Sequence, residues 1–104
     1  MTTYNDLLNE FRHSPRDVIT VPMNGSAGIW FYVFEENGFI YVDSAKSKKP
    51  SSLISTRRRL NENDFDEILS LYQLRKKGTA VSVEATKTTV NQVYWYGIFS
   101  ELGL

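Results

Sequence analysis

Two short aromatic and β-branched segments, joined by residues that include an Asn-Gly dipeptide, constrain the fold of this chain more than any other feature. The first segment covers 29–34 and the second covers 39–42, with Asn37-Gly38 between them. Asparagine and glycine readily adopt the positive φ angles that a tight hairpin turn requires. The pattern therefore predicts an antiparallel β-hairpin over 29–42.

Both faces of this predicted hairpin are apolar, which leaves two arrangements open. In one, the hairpin lies at the centre of a sheet that is covered on both sides. In the other, one face is an exposed aromatic platform. A β-branched run in 17–23 predicts a neighbouring strand, and the alternating segment 52–60 is compatible with a further one.

Three other segments have the patterns of helices. Thr3 is a candidate cap for a helix over 3–11, in which apolar side chains recur at helical spacing. The segment 63–77 predicts a second helix, with Asn63 as its cap and acidic residues in its first turn. Ser82 can begin a short third helix.

The segment 90–102 supports two interpretations. Thr89 and Gln92 have the spacing of a capping box, which favours a helix. The run 93–96 is aromatic and β-branched, which favours a strand. Because the segment is longer than a typical strand and begins with a cap pattern, we prefer the helix, and the choice stays open.

Length and composition fit a single folded unit. The chain has 104 residues, of which 41% are hydrophobic and 23% charged, as is typical of one globular domain. We therefore expect one domain over 1–104 of the α+β class. In this fold a small antiparallel sheet of three or four strands, centred on the hairpin 29–42, is packed by an N-terminal helix and by C-terminal helices.

The residues that usually carry out catalysis or bind metals are scarce. Cysteine is absent and His13 is the only histidine, so no thiolate site can exist and no metal site is predicted. The position of His13 at a helix end favours an exposed residue over a general base. We therefore expect a protein that is not an enzyme and that holds no metal and no cofactor.

Hydropathy and the absence of cysteine also predict where in the cell the protein is located. No stretch reaches the roughly 18 apolar residues that a membrane helix needs, and the first residues lack the pattern of a signal peptide. The absence of disulfides favours a cytoplasmic protein. We expect no membrane partner.

Charge is balanced in total but unevenly distributed. The chain has 12 basic and 12 acidic residues, and a neutral total weighs against a dedicated nucleic-acid binder. A basic stretch nevertheless covers 46–59, and 64–102 can be arranged as a helix-turn-helix-like region whose last helix enters a DNA groove. On this hypothesis, the nucleic-acid contacts come from Arg57, Arg58, Arg59, Lys76, Lys87, Asn91 and Gln92.

Aromatic crowding supports a different class of function. The hairpin and the C-terminal segment hold more aromatic side chains than one small core hides easily, and exposed aromatic patches mark interfaces. The candidate interface residues are Trp30, Tyr32, Tyr94 and Trp95. Our leading hypothesis is a non-catalytic module that binds a protein partner or a second copy of itself as a homodimer. Nucleic-acid binding is the alternative.

Overall fold

The described part of the chain contains four helices and four strands, in an α+β arrangement that confirms the predicted fold class. The computed structural model describes residues 2–22, 27–80 and 82–104. In chain order the elements are α1 (Tyr4–His13), β1 (Arg16–Ile19), β2 (Trp30–Glu36), β3 (Phe39–Ser44), β4 (Arg58–Leu60), α2 (Glu62–Lys76), α3 (Ser82–Thr88) and α4 (Gln92–Glu101).

The four strands form one antiparallel sheet in the order β1-β2-β3-β4. β2 and β3 are the predicted hairpin, and they pair from Phe31 opposite Ser44 to Glu36 opposite Phe39. The turn contains Asn37 at φ 54° and Gly38 at φ 83°, which are the left-handed angles that the Asn-Gly pair favours. The hairpin and the number of strands are therefore as predicted.

The start of α1 follows from a reciprocal capping box. The Asp6 N–H donates to the Thr3 hydroxyl at 3.2 Å, and the Thr3 N–H donates to the Asp6 carboxylate at 2.8 Å. Two N–H groups that the helix leaves free are thereby satisfied. The helix packs its apolar stripe, which includes Leu7 and Phe11, against β2 and β3.

α4 confirms the helical interpretation of the last segment and occupies the centre of the core. Its residues 94–99 are all buried, and it packs against both β1 and α2. At Gly97 the helix approaches the sheet closely. A β-carbon there would lie 2.9 Å from the Ile19 carbonyl oxygen and 3.0 Å from the Phe31 ring, so this distance of approach requires glycine.

Two predicted helix starts are wrong in detail. α2 begins at Glu62 with Asn61 in the cap position, so Asn63 lies inside the helix and is not its cap. The capping box predicted at α4 does not form. The Thr89 hydroxyl instead accepts the N–H of Asn91 at 3.0 Å, and α4 begins at Gln92, two residues after the predicted start at 90.

Two predicted strands are shorter in the structure. β1 ends at Ile19, after which the Thr20 N–H still donates to the Ile29 carbonyl at 2.9 Å before the chain leaves the sheet. Of the predicted span 17–23, residue 23 lies outside the described residues. In 52–60 only β4 forms a strand. Before it, the Ser52 N–H donates to the Trp30 carbonyl at 2.8 Å, and the Ile54 N–H donates to the Ser44 hydroxyl at 3.0 Å.

One hydrophobic core joins the helices to one face of the sheet. The strand side chains on this face are Val18, Phe31, Val33, Ile40, Val42 and Leu60, all fully buried. The opposite face carries no buried side chain among the described strand residues. Of the two arrangements left open for the hairpin, the structure therefore has the one with an exposed aromatic face. Among the helices described, none is long and apolar enough to cross a bilayer.

Candidate functional site

The uncovered face of the sheet carries five aromatic side chains, which we call the aromatic outer face. Successive side chains of a strand point to opposite faces. Phe31 and Val33 therefore enter the core, and their neighbours in β2 point outward. β3 adds two more outward rings. Tyr41 pairs with Phe34, and Phe39 pairs with Glu36, so both share the outward face of β2. The aromatic outer face consists of Trp30, Tyr32, Phe34, Phe39 and Tyr41, all partly exposed.

The rings of the aromatic outer face are in contact with one another. The centroids of Phe34 and Tyr41 lie 5.6 Å apart with an interplanar angle of 20°, which is a stacked pair. Tyr32 and Phe34 lie 5.7 Å apart. Such contacts hold the rings in place.

Four basic side chains cover these rings. The Lys46 ammonium lies 4.7 Å from the Tyr32 centroid, and the Lys48 ammonium lies 5.6 Å from that of Trp30. The Arg57 guanidinium lies 4.3 Å from the Tyr41 centroid, and Arg59 lies 4.5 Å from Phe39. All four distances are within the range of cation–π attraction. The face therefore combines flat apolar surfaces with positive charges at the same positions.

Asp17 on β1 positions the two lysines. Its carboxylate accepts the backbone N–H groups of Lys46, Ser47 and Lys48, each at 2.9 Å. Partial burial raises the pKa of Asp17, but these hydrogen bonds outweigh it and hold the pKa below its usual value. The loop that carries both lysines is therefore attached to the sheet by one ionised side chain.

Acidic residues on the same face lower its net charge. Glu36 forms an ion pair with Arg57 at 2.6 Å, and Asp43 lies opposite Tyr32 in the strand register. With Asp17, three carboxylates face four basic groups. The Asp17 and Glu36 charges are already engaged in hydrogen bonds, so an incoming anion meets mainly the lysines and Arg59.

The predicted nucleic-acid contacts do not gather on one surface. Arg57 and Arg59 lie at the aromatic outer face, but Arg58 between them points to the other side, because it pairs with Val42 of the core face. Its guanidinium lies 5.8 Å from the Tyr94 centroid and donates to the Asn91 side-chain oxygen at 3.2 Å.

The remaining predicted contacts lie among the helices. Lys76 donates to the Leu104 carbonyl at 2.7 Å, Lys87 is exposed on α3, and Gln92 is partly buried at the start of α4. These three side chains are separated from the sheet face by the core. The structure thus brings together two of the seven predicted residues with the aromatic rings.

The helix-turn-helix-like arrangement does not fit the geometry. α2, α3 and α4 follow one another as predicted, but a reading helix must present one face to the DNA groove. α4 buries residues 94–99 on every side, and Gly97 contacts the sheet. This helix cannot enter a groove without exposing the core.

Two of the four predicted interface residues are not exposed. Trp95 is 0% exposed and Tyr94 is 8% exposed, so their assignment to a surface is wrong. Trp95 packs near Tyr4, Phe65 and Phe99. Tyr94 packs on Phe31 and pairs with the Ser52 hydroxyl. The other two, Trp30 and Tyr32, belong to the aromatic outer face.

Sequence reasoning missed Asp17, Lys46 and Lys48 as parts of the candidate site. The lysines belong to the basic stretch 46–59, which was the available signal. Their placement over β2 depends on Asp17, which is distant in the sequence, and on the path of an irregular loop. Neither could be derived from residue patterns.

His13 does not resemble a catalytic base in its surroundings. Its Nδ1 lies 2.7 Å from the Asn9 carbonyl oxygen, and the side chain is exposed at the end of α1. Within 2–22, 27–80 and 82–104, no three side chains of the metal-binding types form a cluster.

Comparison with known proteins adds no relative to this picture. Models of protein families, curated proteins and solved structures all gave no match to this chain. Its function is accordingly inferred from its own residues.

Proposed function

We propose that the protein is a non-catalytic module that binds single-stranded nucleic acid on the aromatic outer face. The observation that carries the proposal is the placement of four basic side chains over the rings of one uncovered sheet face. Single strands are held by aromatic rings that stack on bases and by cations that contact phosphates. This face supplies both types of group.

The arrangement permits an exchange of partners. In the free protein, each cation lies on a ring, which at a partly exposed site is worth about 0.5–1 kcal/mol. A bound strand would place a base on the ring and a phosphate beside the cation. Base–aromatic stacking contributes about 1–3 kcal/mol per base, so the exchange favours the complex.

The strand geometry fits successive bases. Trp30, Tyr32 and Phe34 alternate along β2 and so share one face, and the Tyr32 and Phe34 centroids lie 5.7 Å apart. A duplex hides the faces of its bases within the stack, whereas a single strand can unstack them. We therefore expect preference for a single strand over a duplex of the same length.

A neutral total charge is compatible with this function but limits it. For single strands, log K falls by about 0.7 per phosphate contact for each unit of increase in the logarithm of the salt concentration. Four cations, one of them paired with Glu36, predict a slope of about −2 to −3. Affinity should thus be modest and strongly dependent on salt.

Association with a protein partner or with a second copy stays a prediction and now ranks second. It relied on four aromatic residues, and two of them, Tyr94 and Trp95, are part of the core. Trp30 and Tyr32 could still contact a partner. The absence of enzymatic activity and the cytoplasmic location also stay predictions.

The test is a titration of fluorescein-labelled oligonucleotides of about a dozen nucleotides, a length within known site sizes, followed by fluorescence anisotropy. We expect single-stranded RNA or DNA to bind at low salt and the matching duplex to bind more weakly. The variant Lys46→Gln/Lys48→Gln should weaken binding at least about fivefold, because two phosphate contacts are lost.

The matched control is Lys77→Gln/Lys87→Gln, which removes the same charge from exposed positions on the helical side. It should leave binding nearly unchanged. No binding at low salt, or equal losses in the two double variants, would refute the proposal. Dimerisation that is seen by light scattering and is abolished by Tyr32→Ala would favour self-association instead.

A further inference from the structure

A pocket of about 310 Å³ opens where the chain leaves β1, beside α4 and the C-terminal end of α2. Its walls are mostly apolar, with Val21, Pro22 and Ile29 on one side and Val93 on the other. The volume is at the lower end of the range for small-molecule sites. None of its lining residues belongs to the aromatic outer face.

Arg75 is the only charged residue in the described lining of this pocket. One of its N–H groups donates to the Val21 carbonyl at 2.6 Å, and its guanidinium stacks 4.7 Å from the Tyr96 centroid. These contacts fix its position. No carboxylate in the described parts of the chain forms an ion pair with it, so it can pair with an anion.

Two polar atoms of the lining residues also lack partners. The Tyr96 hydroxyl and the Gln92 side-chain oxygen are buried without a hydrogen bond among the described residues. Only the hydroxyl can donate to an anion, because the amide oxygen is itself an acceptor. Buried polar groups are nearly always satisfied, and exceptions point to a missing partner. Burial raises the pKa of Tyr96, so its hydroxyl is protonated and can donate.

We propose that this pocket binds a small monocarboxylate with an apolar body. The carboxylate pairs with Arg75, whose remaining N–H groups can form charge-assisted hydrogen bonds, and the apolar body contacts Val21, Pro22 and Val93. One cation and one hydroxyl donor match a single negative charge. A phosphate with two charges would lack a second basic group in this lining, and a cationic ligand would be repelled.

Octanoate, 1-octanol and octylamine, titrated into the protein by isothermal calorimetry, test this inference, since the three share one apolar chain. We expect octanoate to bind about tenfold or more tightly than octanol, as an ion pair at a partly buried arginine allows. Octylamine should bind weakest. Equal affinity for octanoate and octanol would overturn the proposal.

Variants locate the binding. Arg75→Gln should abolish the preference for octanoate and leave octanol binding, whereas Val93→Trp should fill the pocket from a half-exposed position and abolish both. Circular dichroism checks that each variant is folded. Lys46→Gln/Lys48→Gln is the control, and loss of octanoate binding there, or its persistence in Val93→Trp, would place the ligand elsewhere. Neither result bears on the proposal of nucleic-acid binding, which the oligonucleotide titration tests separately.

Discussion

The Tyr4 hydroxyl donates a 2.6 Å hydrogen bond to the Leu60 carbonyl oxygen and thereby ties the first turn of α1 to β4. The same hydroxyl accepts the Ile40 N–H at 2.9 Å. One buried side chain thus satisfies polar groups of two neighbouring strands. Burial raises the pKa of Tyr4, so the hydroxyl keeps its proton at neutral pH and acts as both donor and acceptor.

Tyr4→Phe should lower the free energy of unfolding by about 1–3 kcal/mol, because two buried backbone groups lose their partner. Urea denaturation followed by circular dichroism measures the change. Tyr32→Phe is the control, since Tyr32 is partly exposed on the aromatic outer face and should change stability by less than about 0.5 kcal/mol. If Tyr4→Phe changed the free energy of unfolding as little as Tyr32→Phe does, the Tyr4 hydroxyl would not be needed for stability.

Gly97→Ala should destabilise the protein although alanine is the better helix former. Propensity alone would favour alanine by about 1 kcal/mol. The new β-carbon would lie 2.9 Å from the Ile19 carbonyl oxygen, and overpacking of this kind costs about 1–3 kcal/mol. We expect a net loss in thermal denaturation. Ser100→Ala, at an exposed position of the same helix, should be neutral or slightly stabilising, and a stable Gly97→Ala would contradict the tight contact.

Asp17 should make folding stability depend on pH in the acidic range. Its pKa is lower in the folded protein than the usual 3.8, so its contribution is complete above that value and is lost as pH falls through the folded pKa. Wild type should exceed Asp17→Asn in unfolding free energy at neutral pH, and the difference should shrink below about pH 4. Urea denaturation at several pH values measures this.

The corresponding control is Asp66→Asn, at an exposed position of α2. It should change the unfolding free energy at neutral pH by less than about 0.5 kcal/mol. A constant difference between Asp17→Asn and wild type would mean that the carboxylate charge does not hold the lysine loop.

Substitution of the two tryptophans should lower the stability of the protein by different amounts. Trp95→Ala should cost about 3–5 kcal/mol, as for other fully buried large side chains, whereas Trp30→Ala should cost less than about 2 kcal/mol because part of its surface is already in water. Acrylamide quenching provides a second measurement. Fluorescence of Trp30→Phe, which retains buried Trp95, should resist quenching, and that of Trp95→Phe should not. The reverse order would contradict the burial of Trp95.

The hairpin was predictable because local chemistry determines it. The Asn37-Gly38 pair fixes the turn, and the turn fixes the pairing of β2 with β3. Which face becomes the outer one is a different question. Both faces of the hairpin are apolar, so the pairing alone does not determine which one lies inward. The packing of α1 on β2 and of Tyr94 and Gly97 on Phe31 decides it.

α4 is an element whose sequence pattern does not distinguish a helix from a strand. A helix that is apolar on all sides gives no amphipathic stripe, and its aromatic residues equally suit a strand. The cap spacing favoured the correct answer even though that capping box does not form. The same ambiguity affects the candidate interface, because the pattern does not show that Tyr94 and Trp95 belong to the core, where the structure places them.

The candidate site was only partly predictable for a related reason. The basic stretch was visible, but the orientation of each arginine depends on the pairing of Tyr41 with Arg59 in β4. This register places Arg58 on the core side. The lysines reach β2 through a loop anchored at Asp17, and contacts between segments distant in sequence leave no periodic signal.

The shortness of the outermost strands restricts how any macromolecule can approach. β1 has four residues and β4 has three, and β4 presents the charged side chains of Arg58 and Arg59. Few unpaired backbone groups are therefore offered at either rim, which disfavours continuation of the ladder by a peptide or by another chain of the same kind. A macromolecule that approaches the sheet would therefore meet mainly side chains on its face, and the short edges disfavour growth of the sheet into fibrillar assemblies.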